Sequence, residues 1–254
     1  MKLLSSFLLL VVVFCGCAPR YSRPYPVPLA PPVETTTEIA MADSSDREPG
    51  FLIVLDPGHG GKDNGAEAKD ASKTMEKNLN LTTALYVRYY LKKFGFETAM
   101  TRRDDTFIPL KQRSSWANSI NPVLFVSIHY NSAPNDKADG IEIFYFKSDA
   151  DKDRSAQSKK LGESIMKNMT SISGANGRGV KHGNLAVVRE TNMPAVLVEG
   201  GFISNPSDLQ HLQNDVYLKK LAWGIAIGIR EYVNTKKGNR LLSKLALVEK
   251  IDDF

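Results

Sequence analysis

Three runs in this 254-residue chain, residues 51–55, 123–128 and 195–198, are apolar at almost every position. A strand with one wet face alternates apolar and polar residues; a strand apolar throughout must be covered on both faces. Helical periods separate these runs. In 78–95, Leu81, Ala84, Val87, Leu91 and Phe94 fall on one face, and Gly95 is a natural stop. Further helices are predicted over 110–120 (Leu110, Arg113, Ala117 and Ile120 on one side), 157–172 and 215–233. Residues 96–101, 140–146 and 185–188 read as additional short strands. Strands alternating with helices predict an α/β fold, an open sheet with helices on both faces. With 42% hydrophobic residues, the chain can build one full-sized core, and a single domain over 51–235 is expected.

The first fifty residues have another character. Lys2 precedes an apolar run from Leu3 to Phe14, followed by Gly16 and Cys17. A charged start, a short apolar core and a small residue before the cut describe a secretory signal. The run is well short of the roughly 20 residues that span a bilayer. Phe14-Cys15-Gly16-Cys17 resembles a bacterial lipobox, which implies a signal peptide over 1–17 with Cys17 lipidated. Ala18 carries no signal for inner-membrane retention. By resemblance to Gram-negative lipoproteins, the expected location is the outer membrane, facing the periplasm. Residues 18–50 are rich in Pro, Thr and Ser and read as an unstructured tether. Residues 236–254 read as a C-terminal tail holding a short amphipathic segment. Both cysteines, Cys15 and Cys17, lie in the leader, so a metal in the domain would be held by His and carboxylates.

The net charge of +5 suits an acidic partner. There is no dense Lys/Arg block and no nucleic-acid module, so nucleic acid is not expected as that partner. The chemistry gathers where predicted strands stop. Asp56-Pro57-Gly58-His59 closes the first strand, Ser127-Ile128-His129-Tyr130-Asn131 the central one, and Val198-Glu199 the last. Sites in open α/β sheets form beyond the carboxyl ends of strands. His59, His129 and Glu76, which stands just before the first predicted helix, would give a two-histidine, one-carboxylate shell of the kind catalytic zinc uses, with a position left for water. Glu199 leaves the core at the same edge and is placed as a general base.

Several stretches together carry a family resemblance. They run from Leu55 through Asp56-Pro57-Gly58-His59 to Ala66, Glu76-Lys77-Asn78, Thr101 to Asp104, Leu110 to Arg113, Ala117-Asn118, Ser127 to Asn131, and Pro194 to Asn205. In content and order they resemble the zinc-dependent N-acetylmuramoyl-L-alanine amidases of the type 3 family. The resemblance implies a mixed, mostly parallel sheet of about six strands in a phosphorylase/hydrolase-like arrangement. It implies His59, Glu76 and His129 as zinc ligands and Glu199 as the catalytic carboxylate. It also implies Asn131 near the ligand loop or substrate, and Arg103 and Arg113 holding loops and helices. The implied substrate is peptidoglycan, cut between N-acetylmuramic acid and L-alanine in wall remodelling or daughter-cell separation, by a monomer needing no organic cofactor. Some division amidases of this family carry a long insertion that folds over the zinc site until an activator, such as a divisome protein, displaces it. Here the corresponding link, 147–156, is short and polar, which predicts an open site. His211 is expected at the surface, and His182 has no assigned role.

Two alternatives differ in class. Ser164-x-x-Lys167 and the later Lys181-His182-Gly183 resemble, over a few residues, motifs of penicillin-sensitive serine peptidases. A non-catalytic wall-binding lipoprotein on the same scaffold would be expected to have lost a ligand or the base, and all four are present.

Overall fold

The computed structural model describes residues 51–249, with side chains described as far as Thr235. The signal peptide, Cys17 and the tether expected over 1–50 therefore lie outside the described residues, as do residues 250–254.

The chain runs β1 (Leu52–Pro57), α1 (Glu76–Lys93), β2 (Glu97–Met100), α2 (Leu110–Ser119), β3 (Leu124–Asn131), β4 (Ile141–Tyr145), α3 (Lys152–Ser173), β5 (Gly177–His182), α4 (Ala186–Arg189), β6 (Ala195–Phe202), α5 (Pro206–Leu212) and α6 (Asp215–Glu249). The strands form one six-stranded sheet in the order β2-β1-β3-β6-β4-β5. Strands β2, β1, β3 and β6 are mutually parallel, β4 is antiparallel to β6, and β5 is parallel to β4. This is the open α/β sheet that the alternation of elements predicts, in the mixed, mostly parallel six-stranded form that the family resemblance implies.

Each face of the sheet has its own core. Ile53, Leu55, Leu124, Val126, Ile128, Val196, Val198, Ile141 and Ile143 pack with α1, α3 and α6. The intervening side chains Val54, Phe125, Ala195 and Leu197 pack with Ala117 of α2 and Val187 and Val188 of α4. Strand side chains alternate faces. Asp56, Ser127, His129 and Glu199 therefore continue the α2/α4 face at the carboxyl ends of β1, β3 and β6.

Helix ends follow local chemistry. Asp151 caps α3 by accepting from the Arg154 N–H, and Gly174 ends it in the left-handed conformation. Asn205 caps α5, with Pro206 in its first turn.

Several expectations need correction. Residues 185–188 do not form a strand: Leu185 is extended, but Ala186–Arg189 is one helical turn. A four-residue apolar run is compatible with either state, and here it serves as a plug over the α2/α4 face. Strand β5 has no apolar run, being Gly-Arg-Gly-Val-Lys-His on the sheet edge, and sequence periodicity does not reveal it. Leu110 is exposed, so the inward face of α2 is Arg113, Ser114 and Ala117. Helix α6 does not stop at Val233 but continues through the polar 236–238 to Glu249, tolerating Gly238 at a cost of about 1 kcal/mol. Helix α1 starts at Glu76, which is its first residue, not one before it. Only residues 146–151 join β4 to α3, and no helix intervenes there.

Candidate metal centre and active site

The first strand delivers His59 through a tight turn. The Gly58 N–H donates to the Ile128 carbonyl at 3.0 Å, holding the turn against β3. His59 itself has φ of 59°, in the left-handed region that non-glycine residues rarely occupy. Its surroundings over-determine that conformation. Arg113 of α2 donates from Nη2 to the His59 carbonyl at 2.7 Å and from Nη1 to the Pro57 carbonyl at 2.8 Å. Arg102 donates to the Pro57 carbonyl at 3.0 Å, the Gly58 carbonyl at 2.7 Å and the Lys77 carbonyl at 2.8 Å. Beneath the turn Asp56 is wholly buried. It accepts from Arg113 Nη1 at 2.9 Å, Thr101 Oγ1 at 2.6 Å and Ser127 Oγ at 2.8 Å. Two neighbouring glycines leave no room for a β-carbon: at Gly58 it would collide with the His129 imidazole, and at Gly65 (φ 66°) with Glu76 and His59.

Glu76 joins the two histidines. Its Oε1 lies 3.1 Å from His59 Nε2 and 2.8 Å from His129 Nδ1. Its Oε2 accepts from the Ala66 N–H at 2.9 Å. One ligand atom from each of His59, Glu76 and His129 falls within a 4.8 Å group, a set that could hold a metal ion. His59 Nδ1 lies 2.8 Å from Asp63 Oδ2, so Nε2 is the nitrogen turned to the cluster. A carboxylate behind a histidine is the usual orienting device at metal sites.

The electrostatics agree with a centre built for a cation. Burial works against the charged form of Glu76, but hydrogen bonds and charge from His129 and His59 outweigh it and hold the carboxyl well below its usual range. Burial likewise works against His59, yet Glu76 and Asp63 together push it up to about 9. His59 thus holds a proton beside a buried carboxylate where a metal would replace it.

Glu199 stands beside this group. It is the parallel partner of His129 on β3 and the antiparallel partner of Glu142 on β4. Its Oε2 is buried without a hydrogen-bond partner among the described residues. Burial, reinforced by the charges of Glu76 and Glu142 and opposed by those of His129 and His59, pushes its carboxyl up to about 7. A carboxyl poised near neutrality at a sheet edge suits proton transfer.

The sequence-named residues divide accordingly. His59, Glu76, His129 and Glu199 come together. Asn131 ends β3 and donates to Glu142 Oε2 at 3.0 Å, which puts it one strand from Glu199. Arg113 holds the ligand turn. Arg103 does not: it is exposed, and its buried neighbour Arg102 grips the turn instead. In Thr101-Arg102-Arg103-Asp104 the chain leaves β2, and only one of two consecutive arginines can point under the loop. His211 is at the surface, stacked on Tyr217 at 5.1 Å. His182 is exposed and accepts from the Lys147 N–H at 3.0 Å. Ser164 donates to the Gly228 carbonyl at 2.8 Å and Lys167 pairs with Glu231 at 3.3 Å. Both belong to the α3–α6 contact and form no nucleophile–base pair. Sequence reading missed Asp63, Glu142 and Asn80, whose amide donates to the Gly58 carbonyl at 3.1 Å and to Glu76 Oε1 at 3.3 Å. Asp63 had a signal, a carboxylate four residues after a turn histidine; Glu142 had only its place in an alternating strand.

Comparison with known proteins agrees with this geometry. The profile of the N-acetylmuramoyl-L-alanine amidase family matches residues 53–231. A probable cell wall amidase, LytH, of Staphylococcus epidermidis is 35% identical over 192 residues, covering 76% of this chain and 62% of that protein. The endolysin of Bacillus phage SPP1 is 38% identical over 188 residues, covering 73% of this chain and 67% of its own. The crystal structure of N-acetylmuramoyl-L-alanine amidase from Clostridium difficile 630 superposes with a TM-score of 0.70 at 37% identity, covering 74% of this chain and all of that one. The chain thus spans a little under two thirds of the length of the LytH protein. On the fold, the grouped residues and these matches, the chain belongs to the N-acetylmuramoyl-L-alanine amidase family.

Proposed function

We propose that this chain is a zinc-dependent peptidoglycan hydrolase that cleaves the amide between the lactyl group of N-acetylmuramic acid and the first L-alanine of the stem. The observation that carries the reading is a two-histidine, one-carboxylate group beside a buried glutamate with an unpartnered oxygen. Two imidazoles and one carboxylate are a donor set that catalytic zinc accepts, and His59, Glu76 and His129 would hold the ion. When bound, zinc supplies Lewis-acid polarisation of the amide carbonyl and a lowered pKa for water. Glu199 takes a proton from the attacking water as the C–O bond forms, then delivers it to the alanine nitrogen as the C–N bond breaks. Asp63 keeps Nε2 of His59 facing inward, while Arg102, Arg113 and Asp56 fix the turn that presents it.

The short link between β4 and α3 supports an open site that works without an activator. The lipobox-like Phe14-Cys15-Gly16-Cys17 supports a lipid anchor on Cys17, and the Pro-rich 18–50 a tether from the outer membrane to the wall. Purified protein with zinc should release intact stems with free L-alanine amino termini from sacculi, as read by mass spectrometry; chelator should stop it and zinc restore it. Products cut elsewhere, or full activity after chelation, would sink the proposal. Cys17→Ser should move the protein from the membrane to the soluble envelope fraction, and unchanged fractionation would remove the anchor.

A further inference from the structure

A second charged group lies next to Glu199 that the hydrolysis itself does not require. Glu142 is its antiparallel partner on β4, and 7% of Glu142 is exposed. Its Oε1 accepts from Arg178 Nε at 2.7 Å and from Lys181 Nζ at 2.7 Å, and its Oε2 from Asn131 at 3.0 Å. Both cations come from the edge strand β5. Residues 178 and 181 are three apart and would not share a face of a regular strand. Here they do, because β5 carries a bulge. Ile141 pairs with Gly177 and Ile143 with Val180, so two residues of β5 stand opposite Glu142 alone. Gly179, with φ of 95°, takes a conformation suited to glycine. The bulge therefore turns two positive side chains to the face that carries the site.

The result is a row across four neighbouring strands: His129 on β3, Glu199 on β6, Glu142 on β4, and the Arg178 and Lys181 pair on β5. Two cations converge on one carboxylate, so Glu142 by itself does not balance the pair. Both remain open to solvent, Arg178 with 33% and Lys181 with 43% of its side chain exposed. Arg178 also lies over the Phe202 ring at 5.1 Å, which limits its freedom. Bracing Glu142 would take one cation; a second that stays half-open is placed to meet an anion from outside.

We infer that Arg178 and Lys181 form a carboxylate-recognition subsite for the acidic residue next to L-alanine in the stem. This inference rests on the amidase reading. On the glycan side of the scissile bond the lactyl carboxyl is consumed in the amide, so free carboxylates occur only on the peptide side. The first of them belongs to the second stem residue, a γ-linked D-glutamate in its acidic form. Neighbouring strands are about 4.8 Å apart, and the head groups of Arg178 and Lys181 meet at Glu142, one strand beyond Glu199. The leaving nitrogen at Glu199 and a carboxylate one residue further along the stem match that offset.

The test compares disaccharide peptides that differ only in the second residue, D-glutamate or its amide D-isoglutamine. Wild-type protein with zinc should cut the acid form about tenfold better in kcat/KM, the size of effect expected of one charge-assisted contact. Arg178→Gln and Lys181→Met should each shrink that preference, mainly through KM for the acid form. If both variants slow the two substrates by the same factor, or if the wild type shows no preference, the cations only brace Glu142 and the inference is overturned. Should the wild type cut neither substrate, the amidase reading is at fault. Calorimetric binding of free L-alanyl-γ-D-glutamate against its amide still decides the subsite: tighter binding of the acid, lost in Arg178→Gln, supports it, and equal binding removes it.

Discussion

Asp56 and Glu199 are both carboxylates at the carboxyl ends of parallel strands, on the same face of the sheet and one on each side of β3. Their surroundings are opposite. Asp56 is fully buried and receives three side-chain donors, one of them a buried guanidinium. Glu199 has an oxygen buried with no donor among the described residues. The same fold that satisfies one carboxylate completely leaves its counterpart unsatisfied about two strands away. A fully bonded carboxylate is a fixed anchor, and here it secures the turn carrying His59. An unsatisfied one keeps its proton up to near neutral pH and so exchanges it there, which is what a general base needs. Saturation marks scaffold, and deficit marks chemistry.

The contrast breaks most sharply at Glu199. Glu199→Gln should lower turnover by about 10²–10⁴-fold, the usual scale of general acid–base catalysis, with zinc content unchanged. The same change should stabilise the metal-free fold. Burial raises the folded pKa of Glu199 to about 7 from the ordinary 4.5, so the folded state binds the proton more tightly than the unfolded chain does. The contribution of Glu199 to stability is therefore fully present below 4.5, is lost as pH rises to about 7, and changes no further above. The variant escapes that loss, by about 1–3 kcal/mol above pH 7, and should match the wild type below 4.5. Denaturant unfolding at pH 4 and pH 8 reads both; a destabilised variant at pH 8 would reverse the comparison.

Arg113→Ala attacks the saturated partner. It strands Asp56 in the core and frees the Pro57 and His59 carbonyls. The expected loss is about 3–5 kcal/mol of stability, accompanied by weaker metal binding. A neutral effect would mean that Arg102 alone holds the turn.

The smallest effect sharpens the picture at the metal group. Metal binding needs a neutral imidazole, and His59 in the metal-free protein titrates at about 9. Below that pH the incoming ion displaces a proton, so affinity should climb about tenfold per pH unit up to roughly 9 and flatten above. Calorimetry in buffers of different ionisation enthalpy counts that proton. No proton release at pH 7 would show that Glu76 and Asp63 do not act on His59 as the geometry has them.

Much of this was legible in the sequence, for identifiable reasons. The apolar runs before Asp56, in β3 and before Glu199 announce doubly covered strands, and the residues after them must emerge at one edge. That logic places His59, His129 and Glu199. It works less well for Glu76, which reaches the cluster from the first turn of a helix. It fails for Glu142, Arg178 and Lys181. Strand β4 runs antiparallel to β6, and β5 follows β4, so their amino-terminal ends lie at the site edge. A reader looking at carboxyl ends passes over them. The bulge at Gly179 hides the second group further, because residues three apart in a strand do not normally share a face. Arg103 is named in place of Arg102 for a simpler reason: the two are adjacent in one stretch, and only the exit of β2 chooses which of them lies under the turn.

Gly58 has one more consequence. A β-carbon there would strike the imidazole of His129, and one at Gly65 would strike Glu76 and His59. The ligands themselves are the wall. In the standard genetic code, every amino acid reachable from glycine by a single-base change carries a β-carbon. Neither position can therefore take a first mutational step without displacing a ligand side chain, and no tolerant intermediate leads to a different turn. The side chains from Lys69 to Lys73 are exposed, but the two glycines are pinned by the group they help to form. In a population of descendants, losing the centre and altering this turn would be the same event.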